Sequence, residues 1–248
     1  MANRQRMSSA SFIIHLDRAV GRKSQVTDLG SVLPEPVRVM DAVDGQRIDP
    51  ALTAYRRLRW FPPYPFRLRC GEIGAFMSHR AVWQTIVDDG LDWALIVEDD
   101  VAIDPGRFDQ ALQLALAHFD GSSVVRFPVD GYDRHGPTIA RDGDIRLLRP
   151  YRPGLGMFTQ LVGREAARRL LDATEIFDRP VDSALQMHWK TGVRLLAVTP
   201  SGVSHISASL GGSAIHQRKS AVSRISHEML RPLYRGWIAL RSQIDDFA

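Results

Sequence analysis

Apolar and polar residues fall into blocks that read as strands and helices taking turns along the chain. The longest apolar run, Trp93-Ala94-Leu95-Ile96-Val97, ends abruptly in Glu98-Asp99-Asp100 before Val101. It is β-branched at Ile96 and Val97 and follows the turn-like Asp89-Gly90, so it predicts a buried central strand over residues 93–101. Shorter runs predict strands at 11–16, 37–40, 123–127, 145–148 and 193–198, with a further apolar stretch at 156–163. Helical spacing of Ile73, Phe76, Met77, Val82, Trp83, Ile86 and Val87, stopped by Asp88-Asp89-Gly90, predicts a helix over 71–87. Further helices are expected from Asp17 onward and over 105–119, 164–171 and 181–189. Strands alternating with helices define an α/β class.

Three segments break the alternation. Residues 55–70 carry Arg56, Arg57, Arg59, Arg67 and Arg69 among Trp60, Phe61, Tyr64 and Phe66, and Pro62, Pro63 and Pro65 forbid a regular helix there. Such a loop either faces a sugar acceptor, through aromatic stacking and arginine contacts, or caps the core. Residues 130–153, rich in glycine, proline and arginine, read as a loop around the short strand at 145–148. Beyond Gln217, the spacing Leu233, Trp237, Leu240, Ile244 with flanking arginines predicts a basic amphipathic helix. It either lies on an anionic membrane or packs against its own domain. The expected division is a main domain over 11–215 and a basic helical tail over 216–248.

Charge and cysteine usage narrow the field. The 248 residues carry a net charge of +4 with a pI near 9.6, which suits an anionic ligand or surface. Nucleic acid is not expected, because aromatics beside basic residues are confined to one loop and no nucleic-acid motif is present. Cys70 stands alone, so neither an intramolecular disulfide nor a thiolate metal site is expected, and a reducing cytoplasm fits. Arg4 and Arg6 precede an apolar segment at 12–16 that is short, contains His15 and runs into Asp17; it reads as a strand, not a signal peptide. No apolar run has the length of a bilayer crossing, so any membrane contact is expected to be peripheral.

The candidate chemistry gathers at the acidic strand end. Three adjacent carboxylates repel one another, and a divalent cation is a natural partner; a solvated cap before Pro105 is the other reading. Glu98 and Asp100 should share one face while Asp99 turns to the other, unless the strand has already ended. Arg18 and Arg22, at a strand-to-helix turn, suit a phosphate or base, or form a solvated i,i+4 pair. Asp44 suits a ribose or simply makes a turn with Gly45. Ser78 and His79 diverge on their helix and do not pair as nucleophile and base; a structural histidine is expected. Asp182 opens the helix at 181–189, where capping is the plain role.

Taken in order, Ile13-Ile14-His15-Leu16-Asp17-Arg18 with Arg22, Ala42-Val43-Asp44-Gly45, Gly71-Glu72-Ile73-Gly74 with Ser78-His79, Ala94-Leu95-Ile96-Val97-Glu98-Asp99-Asp100, and Pro180-Val181-Asp182 resemble glycosyltransferase family 25. This group includes the lipopolysaccharide and lipooligosaccharide galactosyltransferases. His15 stands where the family usually carries Asn, Ala75 where Cys is common, and Ser213-Ala214-Ile215 is a loose match to the family's ending. The resemblance implies a GT-A-like single Rossmann-type mixed sheet flanked by helices. It also implies a UDP-hexose donor, Mn²⁺ or Mg²⁺ bound through Glu98 and Asp100, inversion at the anomeric carbon, and a glycan or lipooligosaccharide acceptor at the cytoplasmic face of a bacterial inner membrane.

On that resemblance Arg18, Arg22, Asp44, Gly71, Ser78, Glu98 and Asp99 hold the nucleotide sugar. Asp182 is the expected general base, with Asp178 as second choice, and His205 or His216 is available to complete a metal shell. Two other classes stay open: a nucleotide-sugar binding protein without transfer, and a metal-dependent phosphoryl-transfer enzyme. The absence of a P-loop speaks against the latter.

Overall fold

The structure is a computed structural model that describes residues 7–129, 133, 135–206 and 221–244. The chain opens with β1 (Ser9–His15), a short 3₁₀ turn (Val20–Arg22), α1 (Lys23–Val32) and β2 (Val37–Asp41). An irregular segment leads to the long α2 (Cys70–Asp88), then β3 (Trp93–Glu98), β4 (Val101–Ile103) and α3 (Pro105–Ala117). There follow β5 (Ser123–Arg126), β6 (Thr138–Asp142), β7 (Ile145–Leu148), β8 (Thr159–Gly163) and α4 (Arg164–Ala173). The rest comprises α5 (Val181–Leu185), α6 (His188–Thr191), β9 (Arg194–Thr199), β10 (Val203–His205) and α7 (Ala221–Ile244).

Eight strands form one mixed sheet in the order β2-β1-β3-β8-β5-β9-β7-β6, and β4 pairs with β10 in a small separate ladder. β3 lies between β1, parallel to it, and β8, antiparallel to it. Alternation along β3 divides its side chains between two cores. Ala94 and Ile96 face Phe76 and Trp83 of α2 and Leu170 of α4; Trp93, Leu95 and Val97 face Leu29 of α1 and Phe108 and Leu112 of α3. Each large side chain buried this way contributes roughly 1.5–3 kcal/mol. Because both faces are covered, the strand reads as a continuous apolar run.

Four expectations are corrected. The central strand stops at Glu98, and Asp99-Asp100 form a turn before β4 begins, because adjacent carboxylates cannot extend a buried ladder. The helix expected over 181–189 is two short helices, broken where the buried Gln186 turns its amide to donate to the Pro153 carbonyl. The stretch before β7 holds a strand of its own, and β6 and β7 pair around Gly143, whose φ of +56° favours glycine. On α7 the packed stripe is Tyr234, Ile238 and Ser242, while Leu233 and Leu240 of the expected stripe are exposed. The side chain of Ile244 lies outside the described residues.

The aromatic segment before α2 serves as the floor for α7. Tyr64 stands edge-on to Tyr234 and Phe61 to Trp237. Arg179, fully buried, ties the junction together. It donates to the Trp60 and Pro62 carbonyls and to the Tyr234 hydroxyl, and pairs with Asp178 at 2.7 Å.

Candidate active site at the end of the central strand

The alternation that sorts the core also sorts the acids. Glu98 continues the face of Ala94 and Ile96 and meets α2, where His79 Nε2 lies 3.4 Å from its Oε1. Asp99 turns toward the other face. There His15 Nδ1 donates to Oδ2 at 2.7 Å and Arg22 Nη1 to Oδ1 at 2.5 Å. Asp100 sits in the turn with Oδ2 3.7 Å from Arg22 Nη1 and 3.6 Å from His205 Nε2, while its Oδ1 is buried without a partner. Burial, then repulsion from Glu98, pushes the Asp100 carboxyl up to about 6.

These acids close one end of a cleft of about 370 Å³, a size suited to a small-molecule ligand. Arg18, Arg22, Arg69, Gln46, Gly71, Ser78 and His79 line the rest of it, together with Ala42, Val43 and Gly45. The loop at 43–45 is pressed against α2. Val43 N–H donates to Ser78 Oγ, and that hydroxyl donates to the Gly74 carbonyl, both at 2.8 Å. A Cβ on Gly45 would stand 2.2 Å from the Cys70 carbonyl oxygen, and one on Gly74 2.5 Å from that of Val43. Only glycines allow the approach, and Ser78 is a latch, not a nucleophile.

Asp44 lies beside this cleft and does not line it. Its Oδ1 accepts from Gln46 N–H and its Oδ2 from Arg18 Nε, each at 2.9 Å. The backbone bond and then Arg18 hold its carboxyl below the ordinary value. Arg18 and Arg22 are therefore not a solvated pair with each other: one is anchored by Asp44, the other by Asp99.

A second cleft, of about 300 Å³, opens on the other side of Glu98. Tyr64, Phe66, Glu72, Gly156, Met157, Asp182, Ser183, Gln186, Arg231, Tyr234 and Arg235 contribute to it, and Ala75 and Glu98 line both clefts. Asp182 is held in place by backbone donors, Gly156 N–H to Oδ2 at 2.9 Å and Ser183 N–H to Oδ1 at 2.6 Å. The segment that presents Gly156 is in turn fixed by the buried Arg126, which donates to the carbonyls of Gly154, Leu155 and Gly156 and pairs with Asp133 at 3.1 Å. Glu72 accepts from Arg69 N–H at the start of α2; burial first, and Asp182 among the rest, pushes its carboxyl above the ordinary value.

The structure thus brings Glu98, Asp99, Asp100, Arg18, Arg22, Gly71 and Ser78 to one cleft and Asp182 to its neighbour. Asp178 is excluded from both: it is buried against Arg179 and accepts from Trp60 N–H. His216 lies outside the described residues. Sequence reading makes His79 a structural histidine and assigns no role to the side chains of Glu72 and Arg126. The period of two along β3 separates Glu98 from Asp99, and the structure adds that the Glu98 face is the one that meets α2 and His79.

The acids suit a divalent cation in a limited way. Among the described residues no three His, Cys, Asp or Glu side chains form a metal-holding group. Glu98 and the unpartnered Oδ1 of Asp100 offer two carboxylates, the donor set typical of a cation that takes its remaining ligands from substrate phosphates and water.

An α/β protein with an arginine-lined cleft at an acidic strand end, joined to a second cleft holding carboxylates, has the form of a protein that sets an anionic ligand beside a second molecule. Residues 8–129 match the profile of Glycosyltransferase family 25 (LPS biosynthesis protein), and through this segment the chain belongs to that family. Procollagen galactosyltransferase 2 of Homo sapiens is 32% identical over 118 residues, covering 46% of this chain and 19% of the relative. Probable inactive glycosyltransferase 25 family member 3 of Bos taurus is 31% identical over 209 residues, covering 76% and 35%. The chain spans between about a sixth and about a third of the length of the curated relatives it matches.

Among solved structures, a Drosophila beta-1,4-galactosyltransferase 7 variant in complex with manganese, UDP-Gal and xylobiose overlaps with a TM-score of 0.46 at 12% identity, covering 88% of this chain and 79% of that one. Galactosyltransferase LgtC with donor and acceptor sugar analogs overlaps at 0.41 and 14%, covering 93% and 95%. Both scores are too low to assign a fold by likeness, and the architecture stands on its own strand order.

Proposed function

We propose that this protein is an inverting, metal-assisted glycosyltransferase that moves a hexose, galactose from UDP-galactose, onto a saccharide hydroxyl of a lipooligosaccharide or other glycan. The observation that carries the reading is the meeting of two clefts at Glu98 and Ala75, one arginine-lined beside the acidic turn, the other holding Asp182. A donor in the first cleft and an acceptor in the second would then face each other across Glu98.

Arg18 and Arg22 carry positive charge toward the diphosphate, and Asp99 fixes Arg22 in that position. Glu98 and Asp100 would hold Mn²⁺ or Mg²⁺, which would supply Lewis-acid neutralisation of the departing diphosphate. Asp182 takes the proton from the acceptor hydroxyl as its oxygen bonds to the anomeric carbon and the bond to the nucleotide breaks. The backbone donors on both Asp182 oxygens keep that carboxylate aimed while leaving each oxygen a lone pair. The same reading places the protein in a reducing cytoplasm, which suits the exposed thiol of Cys70.

A non-catalytic reading has one observation in its favour: a relative that aligns with 76% of this chain bears the name of a probable inactive family member. Incubation with a panel of UDP-sugars, with and without Mn²⁺, separates the two by slow donor hydrolysis. Metal-dependent hydrolysis of one donor supports transfer. Tight UDP binding with no turnover of any donor favours the inactive form, and binding of none of them overturns both.

A further inference from the structure

One face of α7 belongs to the second cleft, through Arg231, Tyr234 and Arg235. The adjoining outer flank is apolar and uncovered: Leu230, Leu233 and Leu240 are 42%, 72% and 60% exposed. Leu233, Trp237 and Leu240 follow one another at i, i+4 and i+7, so they form one ridge along the helix, with Trp237 half-buried against Trp189 between two exposed leucines. Phe61, 68% exposed, stands edge-on to Trp237 with ring centroids 5.4 Å apart and carries the ridge onto the neighbouring segment. That segment also holds Leu58, 63% exposed at a φ of +60°, a backbone conformation costly for leucine. Single exposed leucines need no explanation, but a contiguous ridge of aromatic and aliphatic side chains does.

The two stretches that carry the ridge are basic. Residues 56–69 and 230–242 together contain eight arginines and no carboxylate. Arg57 and Arg59, both exposed, make no side-chain hydrogen bond or ion pair among the described residues. No helix among the described residues is long and apolar enough to cross a membrane.

We infer that the ridge of Phe61, Leu233, Trp237 and Leu240, rimmed by Arg57 and Arg59, is a docking face for the surface of an anionic lipid bilayer. Aromatic and leucine side chains beside unpaired arginines match a surface that offers an apolar interior under a layer of phosphates. A second copy of the chain fits poorly, since a twofold contact would press two basic faces of the same sign together. One consequence rests on the transferase reading: with α7 against the bilayer, the second cleft sits at headgroup level, where an acceptor sugar carried on a lipid is presented. The docking itself does not depend on that reading.

The test is co-sedimentation of the full chain with vesicles of equal parts phosphatidylglycerol and phosphatidylethanolamine, compared with pure phosphatidylcholine. Binding is expected to the anionic vesicles alone and to weaken with salt. Leu233→Glu with Leu240→Glu should weaken it by about tenfold or more, and Arg57→Ala with Arg59→Ala by roughly fivefold per arginine. Equal binding to both vesicle types, unchanged binding of the leucine variant with its thermal melt intact, or light scattering that shows a dimer dissolved by the leucine substitutions would each overturn the proposal. UDP-sugar hydrolysis in the same samples reads the transferase question separately, because neither variant touches a cleft residue.

Discussion

His15 Nδ1 donates to Asp99 Oδ2 over 2.7 Å, and this bond, with that from Arg22, makes the middle acid of the triplet a fixture instead of a ligand. Both partners of Asp99 are largely buried, and His15 Nε2 has no partner of its own. Asp99→Ala would leave a guanidinium and an imidazole facing an emptied site. Breaking a buried pair from one side costs about 3 kcal/mol. Urea denaturation should show a loss of that size, and a loss under about 1 kcal/mol would mean that Arg22 finds another anchor.

Asp100→Asn should behave in the opposite way. Burial and Glu98 already oppose the charge of this carboxyl, so an amide at the same place removes a strained anion from the fold. Stability in the absence of metal should hold or rise. Metal-dependent donor hydrolysis should fall about a hundredfold or more, the usual cost of losing one preorganised charge partner of a transition state. Hydrolysis at the original rate in a folded variant would remove Asp100 from the proposed chemistry.

Arg126 lines neither cleft, yet it should matter to turnover. Its guanidinium gathers three successive carbonyls of the segment whose Gly156 N–H steadies Asp182. Lysine keeps the charge but not the fork, so Arg126→Lys can satisfy only part of that set. The expected outcome is a fall of about tenfold in kcat for transfer with the KM for donor unchanged. A rise in donor KM of the same size would place the effect in the first cleft and contradict this arrangement.

How much of this was written in the residue pattern depends on whether a local rule or a distant partner decided the outcome. The apolar run of β3 and the acids at its end are local, and the period of two sufficed to separate Glu98 from Asp99. Asp178 and Arg179 are the reverse case. Asp178 is the second choice of general base from sequence, yet it is buried with Arg179 because Trp60 and Pro62, more than a hundred positions earlier, supply carbonyls and an N–H at the right place. On α7 two stripes satisfied helical spacing equally well. The choice of Tyr234 and Ile238 over Leu233 and Leu240 was made by Tyr64, Trp60 and Met187 underneath. Arg126, lodged in a strand of valines, had no role assigned because nothing local announced the carbonyls it would meet.

Glu72 gives a pH signature that separates the second cleft from the first. Burial pushes its carboxyl above the ordinary value of 4.5, so the folded state prefers the protonated form more than the unfolded state does. Below the unfolded value both states hold the proton and stability is undiminished. As pH rises through the raised folded value, the folded state gives up the proton to solvent and must hold a carboxylate charge in a buried site, and stability is lost. Glu72→Gln keeps an acceptor for Arg69 N–H but has nothing to ionise. The Tm of the unaltered protein should therefore fall relative to the variant as pH rises above about 4.5, in metal-free buffer that leaves the other acids common to both samples. A difference that stays flat, or that moves in favour of the unaltered protein as pH rises, would show that the charged form of Glu72 is the one the second cleft is built to hold.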